Sequence, residues 1–306
     1  MPNKDPRLLI VGGSGFIGRN VVAKLAVSGQ SITATYFHDT SFVSWASQWS
    51  NVLVTRFDGI RGPAQFSNFD VCLYLAGNAN HYWASAHPQE DLSMNTLALL
   101  NSLSGFRGHL VYVSSGAVYY GLEGPVSPTI PLHPIFPYAI SKYVCELYIE
   151  YLKNAGRLQG YTIIRLYYAY GPFEPSRRLI PTLIRKLILE NADTFSLNGD
   201  GQTLLAPLFV DDVSNALCKS IFVPALNQPV DLCAEHPLTL QALVEQVSNA
   251  LGRKIQINHR PTEEESIHFW SSNAEANRAF ALDSSLPLAE GVRRYARWIL
   301  STNANN

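Results

Sequence analysis

The stretch Leu8-Leu9-Ile10-Val11-Gly12-Gly13-Ser14-Gly15-Phe16-Ile17-Gly18 decides the fold. Its first four residues are apolar and end in β-branched Ile10 and Val11, which reads as a short buried strand. Gly12, Gly15 and Gly18 then follow at G-x-x-G-x-x-G spacing. From Arg19 to Ser28 the apolar residues Val21, Val22, Leu25 and Ala26 recur with a helical period. A glycine turn between strand and helix lets backbone approach a pyrophosphate closely, and the helix N-terminus offers it unpaired N–H groups. The loop of Gly12, Ser14, Gly15, Phe16, Ile17 and Gly18 is therefore expected to hold a dinucleotide.

The same alternation continues outward. Ser31–Tyr36, Val52–Phe57, Val71–Leu75, Leu110–Val113 and Tyr161–Leu166 read as further strands, with helices over Asp91–Leu103 and Tyr138–Leu152. Strand and helix alternating over some 160 residues imply an α/β fold, a doubly wound parallel (Rossmann) sheet with right-handed crossovers. After Gly171-Pro172 the pattern shifts to helices and short strands, including Leu208–Val210, a helix from Asp212 to Phe222 capped by Asp212, Leu240–Leu251 and Leu288–Leu300. We expect residues 1–172 to form the dinucleotide domain, with 203–234 returning to it. Residues 173–202 and 235–306 are expected to form a smaller mixed α/β C-terminal substrate lobe.

Composition narrows the class. The 306 residues carry 23 Lys+Arg against 24 Asp+Glu, a net charge of −1, which removes the broad attraction that nucleic-acid binders use. Hydrophobic residues make up 47%, enough for a packed core, and charged residues only 15%, below the roughly 25% usual for soluble domains. The apolar run after the polar opening Met1–Arg7 is too short for a signal-peptide core, and no stretch approaches the ~20 residues of a membrane span. Cys72, Cys145, Cys218 and Cys233 lie far apart with no C-x-x-C pair, so neither a disulfide framework nor a metal site is expected. A cytoplasmic setting fits. Glu263-Glu264-Glu265 reads as a solvated run.

At the end of the second strand, where an acid commonly binds the ribose diol of NAD, stand Tyr36, Phe37 and His38. No acid is there to repel a 2′-phosphate and no Arg or Lys to attract one, although His38 can serve. The expected cofactor is NAD(P), with NADP favoured over NAD. Asp58, followed by Gly59, is placed to meet the adenine edge.

The chemistry is carried by Tyr138-Ala139-Ile140-Ser141-Lys142. Residues four apart share a helix face, so both side chains of this Y-x-x-x-K reach one site. A free tyrosine is a weak acid, of pKa about 10. A neighbouring ammonium favours its phenolate and makes it a proton donor or acceptor for a carbinol–carbonyl couple. Lys142 would also hold the nicotinamide ribose. Val111-Tyr112-Val113-Ser114-Ser115 ends a buried strand on the ligand-binding edge of the sheet, which puts Ser114 at the cofactor and the Ser115 hydroxyl at the substrate. Asn78 and His81, after the fourth strand, face the same place.

With these motifs in hand, the chain resembles the extended short-chain dehydrogenases/reductases, the NAD-dependent epimerase/dehydratase family of nucleotide-sugar enzymes. The resemblance runs from about Arg7 to Trp298. It rests on the glycine loop, Leu75-Ala76-Gly77, Ser114-Ser115-Gly116-Ala117-Val118-Tyr119, Pro137 to Lys142, Arg165 with Tyr170-Gly171-Pro172, Gly199-Asp200-Gly201 and Phe209-Val210-Asp211-Asp212-Val213. It implies that Ser115, Tyr138 and Lys142 are the catalytic triad, that Leu75, Ala76 and Gly77 line the nicotinamide side of the cofactor path, and that the protein is a homodimer through the helices near Asp91–Leu103 and Tyr138–Leu152.

Departures from the family pattern narrow the reaction. Family 4,6-dehydratases carry Asp-Glu directly after the catalytic hydroxyl residue, where this chain has Gly116-Ala117. Tyr168, beside cofactor and substrate, replaces an Asn that commonly touches the sugar-nucleotide phosphates, and Leu205 replaces an Arg that clamps the diphosphate. Arg177 and Arg178 are candidates to substitute. The expected activity is epimerisation of a nucleotide sugar through transient oxidation at C4. The alternative is an NADPH-dependent 4-keto sugar reductase, and a third class is a non-catalytic dinucleotide sensor.

Overall fold

The computed structural model describes residues 6–64, 66–262 and 266–303; the glutamate run at 263–265 lies outside them. Its centre is a seven-stranded sheet, all parallel. In chain order the first five strands are β1 (Leu8–Val11), β2 (Ile32–Tyr36), β3 (Val52–Arg56), β4 (Val71–Tyr74) and β5 (His109–Ser115). Two more follow, Gly160–Leu166 and Pro229–Leu232. In space the order is Pro229–Leu232, Gly160–Leu166, β5, β4, β1, β2, β3. The winding reverses between β1 and β4, and that is where such sheets open a crevice at their C-terminal edge.

Alternation builds the two faces. Leu8 and Ile10 join Leu73, Val111 and Ile164 in one buried layer, against Val21, Val22 and Leu25 of helix α1 (Phe16–Val27). Leu9 and Val11 point the other way, into a layer with Tyr74, Tyr112, Leu99 and Ile149. A strand covered on both faces needs apolar residues at every position, which is why β1, β4 and β5 read as continuous runs. Cys72 and Cys145 sit in the second layer, and all four cysteines are buried and unpaired.

The seventh strand, Pro229-Val230-Asp231-Leu232, has no local signal of that kind. It is nevertheless buried and pairs with Ile163–Leu166. Helix Ala274–Phe280 also packs Ala276 and Phe280 into the first layer. A separate core joins Tyr170, Leu183, Phe209, Val247, Tyr295 and Ile299. A small cluster of Val118, Tyr119, Val126, Leu132 and Phe269 lies between, where Gly124–Pro125 pairs with Phe269–Trp270.

Two local expectations change. The helix expected over Asp91–Leu103 runs as α-helix from Pro88 to Leu92, a π-turn over Ser93–Leu97, and α-helix again from Ala98 to Leu103. The helix expected to start at Asp212 spans Val210–Phe222, with Phe209 as N-cap. Asp212 is no cap. Its carboxylate lies in the first turn and accepts a hydrogen bond from Leu286 N at 2.8 Å, tying a distant loop to the helix. Among the described residues no helix is long and apolar enough to cross a membrane.

Candidate functional site

The glycine loop lies at the sheet's switch point. Gly12 has φ of +91°, and a Cβ on it would press on Ala76 N at 2.7 Å, so the turns after β1 and β4 touch backbone to backbone. A Cβ on Gly18 would collide with Gly12 O. Those two glycines are demanded by the protein's own packing. Gly15 is different: it is exposed, its φ of −73° suits any residue, and an added Cβ would meet only Gly12 O at 3.4 Å. It keeps space clear over the N-terminus of α1. That end has no side-chain cap and no acid in its first turn, so its N–H groups are left for an anion. These features fit the pyrophosphate of a dinucleotide. Ser14 sends its carbonyl to Arg19 Nε at 3.2 Å.

Tyr36 ends β2, and the rings of Phe37 and His38 beyond it meet at a tilt of 48° with centroids 3.7 Å apart. Asp39 was not singled out in the sequence. Its Oδ2 accepts from Arg19 at 2.6 Å, while Oδ1 accepts from Ser41 N at 3.1 Å and Ser41 Oγ at 2.5 Å. Those donors hold its carboxyl below the usual range against the opposing effect of partial burial. The Arg19 guanidinium is enclosed by the rings of Phe42, Trp45 and Phe173 at 5.0–5.4 Å. Asp58 accepts from Ile60 N at 3.1 Å and pairs with Arg61 at 3.1 Å. A Cβ on Gly59 would press on Ala98 at 2.8 Å.

Helix Pro137–Asn154 delivers Tyr138 and Lys142 to β5. Lys142 Nζ donates to Val113 O at 3.1 Å and lies 5.0 Å from the Tyr112 ring centroid. Two residues beyond Val113, Ser115 ends the strand, and its Oγ accepts from Ala117 N at 3.1 Å. The Phe136 ring stands 6.3 Å from that of Tyr138 and 6.3 Å from that of His81, so the three rings form one aromatic group.

Behind this edge runs a buried polar chain. Ser114 Oγ donates to Glu146 at 2.5 Å, and Arg165 donates to both Glu146 oxygens, closest at 2.7 Å. Arg165 also donates to Tyr119 Oη at 2.7 Å, and Tyr119 donates to Asp231 at 3.0 Å. Ser271 meets Asp231 at 2.5 Å. Burial pushes the Asp231 carboxyl up to about 6, although Ser271, Tyr119 and Arg165 pull the other way.

A second buried group joins Asn78, Asp91, Asn95 and Ser141. Asp91 accepts from Asn78 at 2.7 Å, from Asn95 at 2.9 Å and from Ser141 Oγ at 2.6 Å. Asn78 is thereby turned toward the protein. The π-turn carries Asn95, whose buried Oδ1 has no hydrogen-bond partner among the described residues and abuts Gly77, where a Cβ would collide with it. An orphaned acceptor beside Leu75-Ala76-Gly77 fits a donor from a bound group. Such wide turns recur at functional sites, but no sequence pattern announced this one.

The phosphate-side candidates separate. Arg178 lies over the Tyr168 ring at 4.4 Å, donates to Ala169 O at 3.2 Å and pairs with Glu174 at 3.3 Å. Glu174 is buried, which raises its carboxyl to about 7. Arg178 is thus committed to its own loop, whereas Arg177 is exposed. Leu205 pairs with Leu238 and packs on the second core.

The sequence profile of the NAD dependent epimerase/dehydratase family matches residues 8–227. The chain is 24% identical over 307 residues to the UDP-glucose 4-epimerase of Mycolicibacterium smegmatis, covering 94% of this chain and 96% of that protein. It is 23% identical over 274 residues to the GDP-6-deoxy-D-mannose reductase of Pseudomonas aeruginosa, covering 83% of each. The solved structure of UDP-N-acetylglucosamine 4-epimerase from Methanobrevibacter ruminantium M1 superposes with a TM-score of 0.86 at 20% identity, over 98% of this chain and 100% of that one.

Two outcomes follow from this geometry. One added methyl should act oppositely at two glycines. Gly15→Ala should melt within about 3 °C of the parent and lose about tenfold in dinucleotide affinity by calorimetry. Gly18→Ala should lose stability; unchanged binding by Gly15→Ala would contradict the assignment. For Asp231, the folded pKa of about 6 lies above the ordinary ~3.9, so the folded chain keeps a proton that the unfolded chain has released. Its stabilising share is complete below about pH 4 and is lost as pH rises through about 6. In urea unfolding the parent should lose on the order of 2 kcal/mol more stability between pH 4 and pH 7 than Asp231→Asn does. An equally steep fall in that variant would refute the attribution.

Proposed function

The chain belongs to the NAD dependent epimerase/dehydratase family, and we propose that it is a nucleotide-sugar epimerase working by reversible oxidation at sugar C4. The observation that supports this reading is the hydrogen bond from Lys142 Nζ to Val113 O at 3.1 Å, which ties the helix face of Tyr138 and Lys142 to β5 two residues before Ser115. A nicotinamide dinucleotide, when bound, supplies the hydride acceptor and donor. The chain's own residues do the rest. The Ser115 hydroxyl orients the substrate oxygen. Tyr138 Oη takes the proton of the C4 hydroxyl and returns it, with Lys142 one turn away on the same helix face. The aromatic group of His81, Phe136 and Tyr138 covers the sugar.

Elimination of water is disfavoured by the shape of the site. Gly116 and Ala117 stand where the dehydratases carry acids, and a Cβ on Gly116 would strike the Tyr167 ring at 2.8 Å. With Arg178 committed to Glu174, the cation of that loop available to a substrate diphosphate is Arg177. One observation favours the second reading, a 4-keto sugar reductase using NADPH: Tyr36 ends β2 without a carboxylate for the ribose diol. The two readings differ in what they consume. An epimerase retains its cofactor through purification and equilibrates two C4 epimers with no net change in nicotinamide absorbance, whereas a reductase consumes one added NADPH per turnover.

The site is expected to work within a homodimer. Leu92, Met94 and Leu97 are exposed beside Ile140, Leu147, Tyr148 and Tyr151 of helix Pro137–Asn154, an apolar strip over two adjacent helices. Burying it against a second copy removes that surface from water.

Tyr138→Phe should lower turnover about 10²–10⁴-fold while leaving dinucleotide affinity within about twofold by calorimetry; a variant that turns over normally refutes the proton role. In sedimentation the parent should run as a dimer and Leu147→Glu/Tyr151→Glu as a folded monomer. A parent that sediments as a monomer removes the dimer.

A further inference from the structure

The corner where β2 ends holds a cation that the linear sequence puts elsewhere. Arg56 is the last residue of β3 and lies directly across the ladder from Tyr36. Its Nε donates to Phe37 O at 3.3 Å, and its guanidinium carbon stands 5.9 Å from the Phe37 ring centroid. That grip uses Nε and the guanidinium face. The two terminal nitrogens make no hydrogen bond among the described residues, and the side chain is exposed. His38 lies against the same ring at a tilt of 48°, with centroids 3.7 Å apart. Phe37 thus holds an arginine fork and an imidazole together at the end of β2.

The acid of this corner is already engaged. Both Asp39 oxygens are occupied, one by Arg19 and the other by Ser41 N and Oγ, and Arg19 is itself buried within three aromatic rings. A ribose 2′-hydroxyl would find no carboxylate at Tyr36, and the nearby Asp39 is already held by three donors. A 2′-phosphate, dianionic or nearly so, would find a fork of free N–H donors. Guanidinium matches phosphate geometry with parallel, charge-assisted bonds.

We propose that Arg56, steadied on Phe37 and flanked by His38, binds the 2′-phosphate of NADP. The choice of cofactor is then made by the end of β3 and not by the residue ending β2. This rests on the reading of the glycine loop as a dinucleotide site, and it holds whether the enzyme retains the cofactor as an epimerase or exchanges it as a reductase.

The test is calorimetric titration of the full-length protein with 2′,5′-ADP and with 5′-AMP, which differ only in the phosphate at issue. The parent should bind 2′,5′-ADP at least about tenfold more tightly. Arg56→Ala should remove that advantage, leave 5′-AMP within about twofold, and melt with the parent because Arg56 is exposed. Arg56→Lys, which keeps the charge but not the fork, should recover part of the preference. Equal affinities in the parent, or an undiminished preference in Arg56→Ala, overturn the assignment while leaving the dinucleotide site standing. If the folded parent binds neither nucleotide, the reading of the glycine loop falls, and this inference with it.

Discussion

Arg165 and Glu146 form an ion pair 2.7 Å apart in which neither side chain is more than 5% exposed. Bringing two charges out of water is costly, and such a pair is tolerated when further hydrogen bonds satisfy what remains of each group. Here they do. Glu146 also accepts from Ser114, and Arg165 donates to Tyr119. The pair therefore fixes three things at once: helix Pro137–Asn154 against the sheet, the C-terminal end of β5 at Ser114, and the segment after it at Tyr119. Glu146 follows Lys142 by four residues and Tyr138 by eight, on one helix face. What holds Glu146 in register thus holds the face that carries the proposed chemistry. Loss of one partner would leave a buried charge alone, a penalty of about 3–5 kcal/mol, and would release the strand end as well as the helix.

Much of this is legible in the sequence because it is local. A strand covered on both faces must be apolar throughout, a backbone turn that touches another backbone must be glycine, and two side chains that serve one site from a helix must be four apart. β1, Gly12, Gly18, Tyr138 and Lys142 each obey one of these rules. What escaped depends on partners that strand order supplies. Arg56 is twenty residues from Tyr36 in sequence and beside it only because β2 pairs with β3. The edge strand Pro229–Leu232 contains Asp231, which breaks an apolar run and is stable only through Tyr119 and Ser271, far away in sequence. Asp212 looked like a helix cap because of its residue type. The helix starts two residues earlier, and its carboxylate serves Leu286 instead. Asn95 gave no signal, because a π-turn has no compositional signature comparable to a glycine loop.

The scarcity of charge acquires a structural meaning. Several of the few charged side chains are spent internally: Glu146 on Arg165, Glu174 on Arg178, Asp39 on Arg19. Arg178 shows the consequence for ligand binding. Its place in the loop after Gly171-Pro172 made it a candidate for a phosphate, but Glu174 is buried beneath it, and the Tyr168 ring lies under its guanidinium. A cation matched to a buried carboxylate brings little net charge to a third group. At the end of β2 and in the loop after Gly171-Pro172, Arg56 over Phe37 and the exposed Arg177 make no ion pair among the described residues.

The same economy joins the two halves of the molecule. Trp45 of the first half meets Phe173 at 5.8 Å, and Phe173 meets Trp298 of the C-terminal helix at 5.3 Å. Arg19, whose Nε reaches the glycine loop at Ser14 O, lies within this aromatic group. Asn20 adds a hydrogen bond to Pro172 O at 3.0 Å. Phe173 adopts a φ of +69°, a conformation that a bulky residue keeps only when its surroundings hold it there. The glycine loop and the segment leading into the second core are therefore packed through one side-chain cluster. A shift of the loop after Gly171-Pro172 must disturb the cage around Arg19, and a displaced Arg19 must in turn release Asp39. The glycine loop and the segment after β2 are coupled by contact, because the Arg19 that reaches Ser14 O also pairs with Asp39.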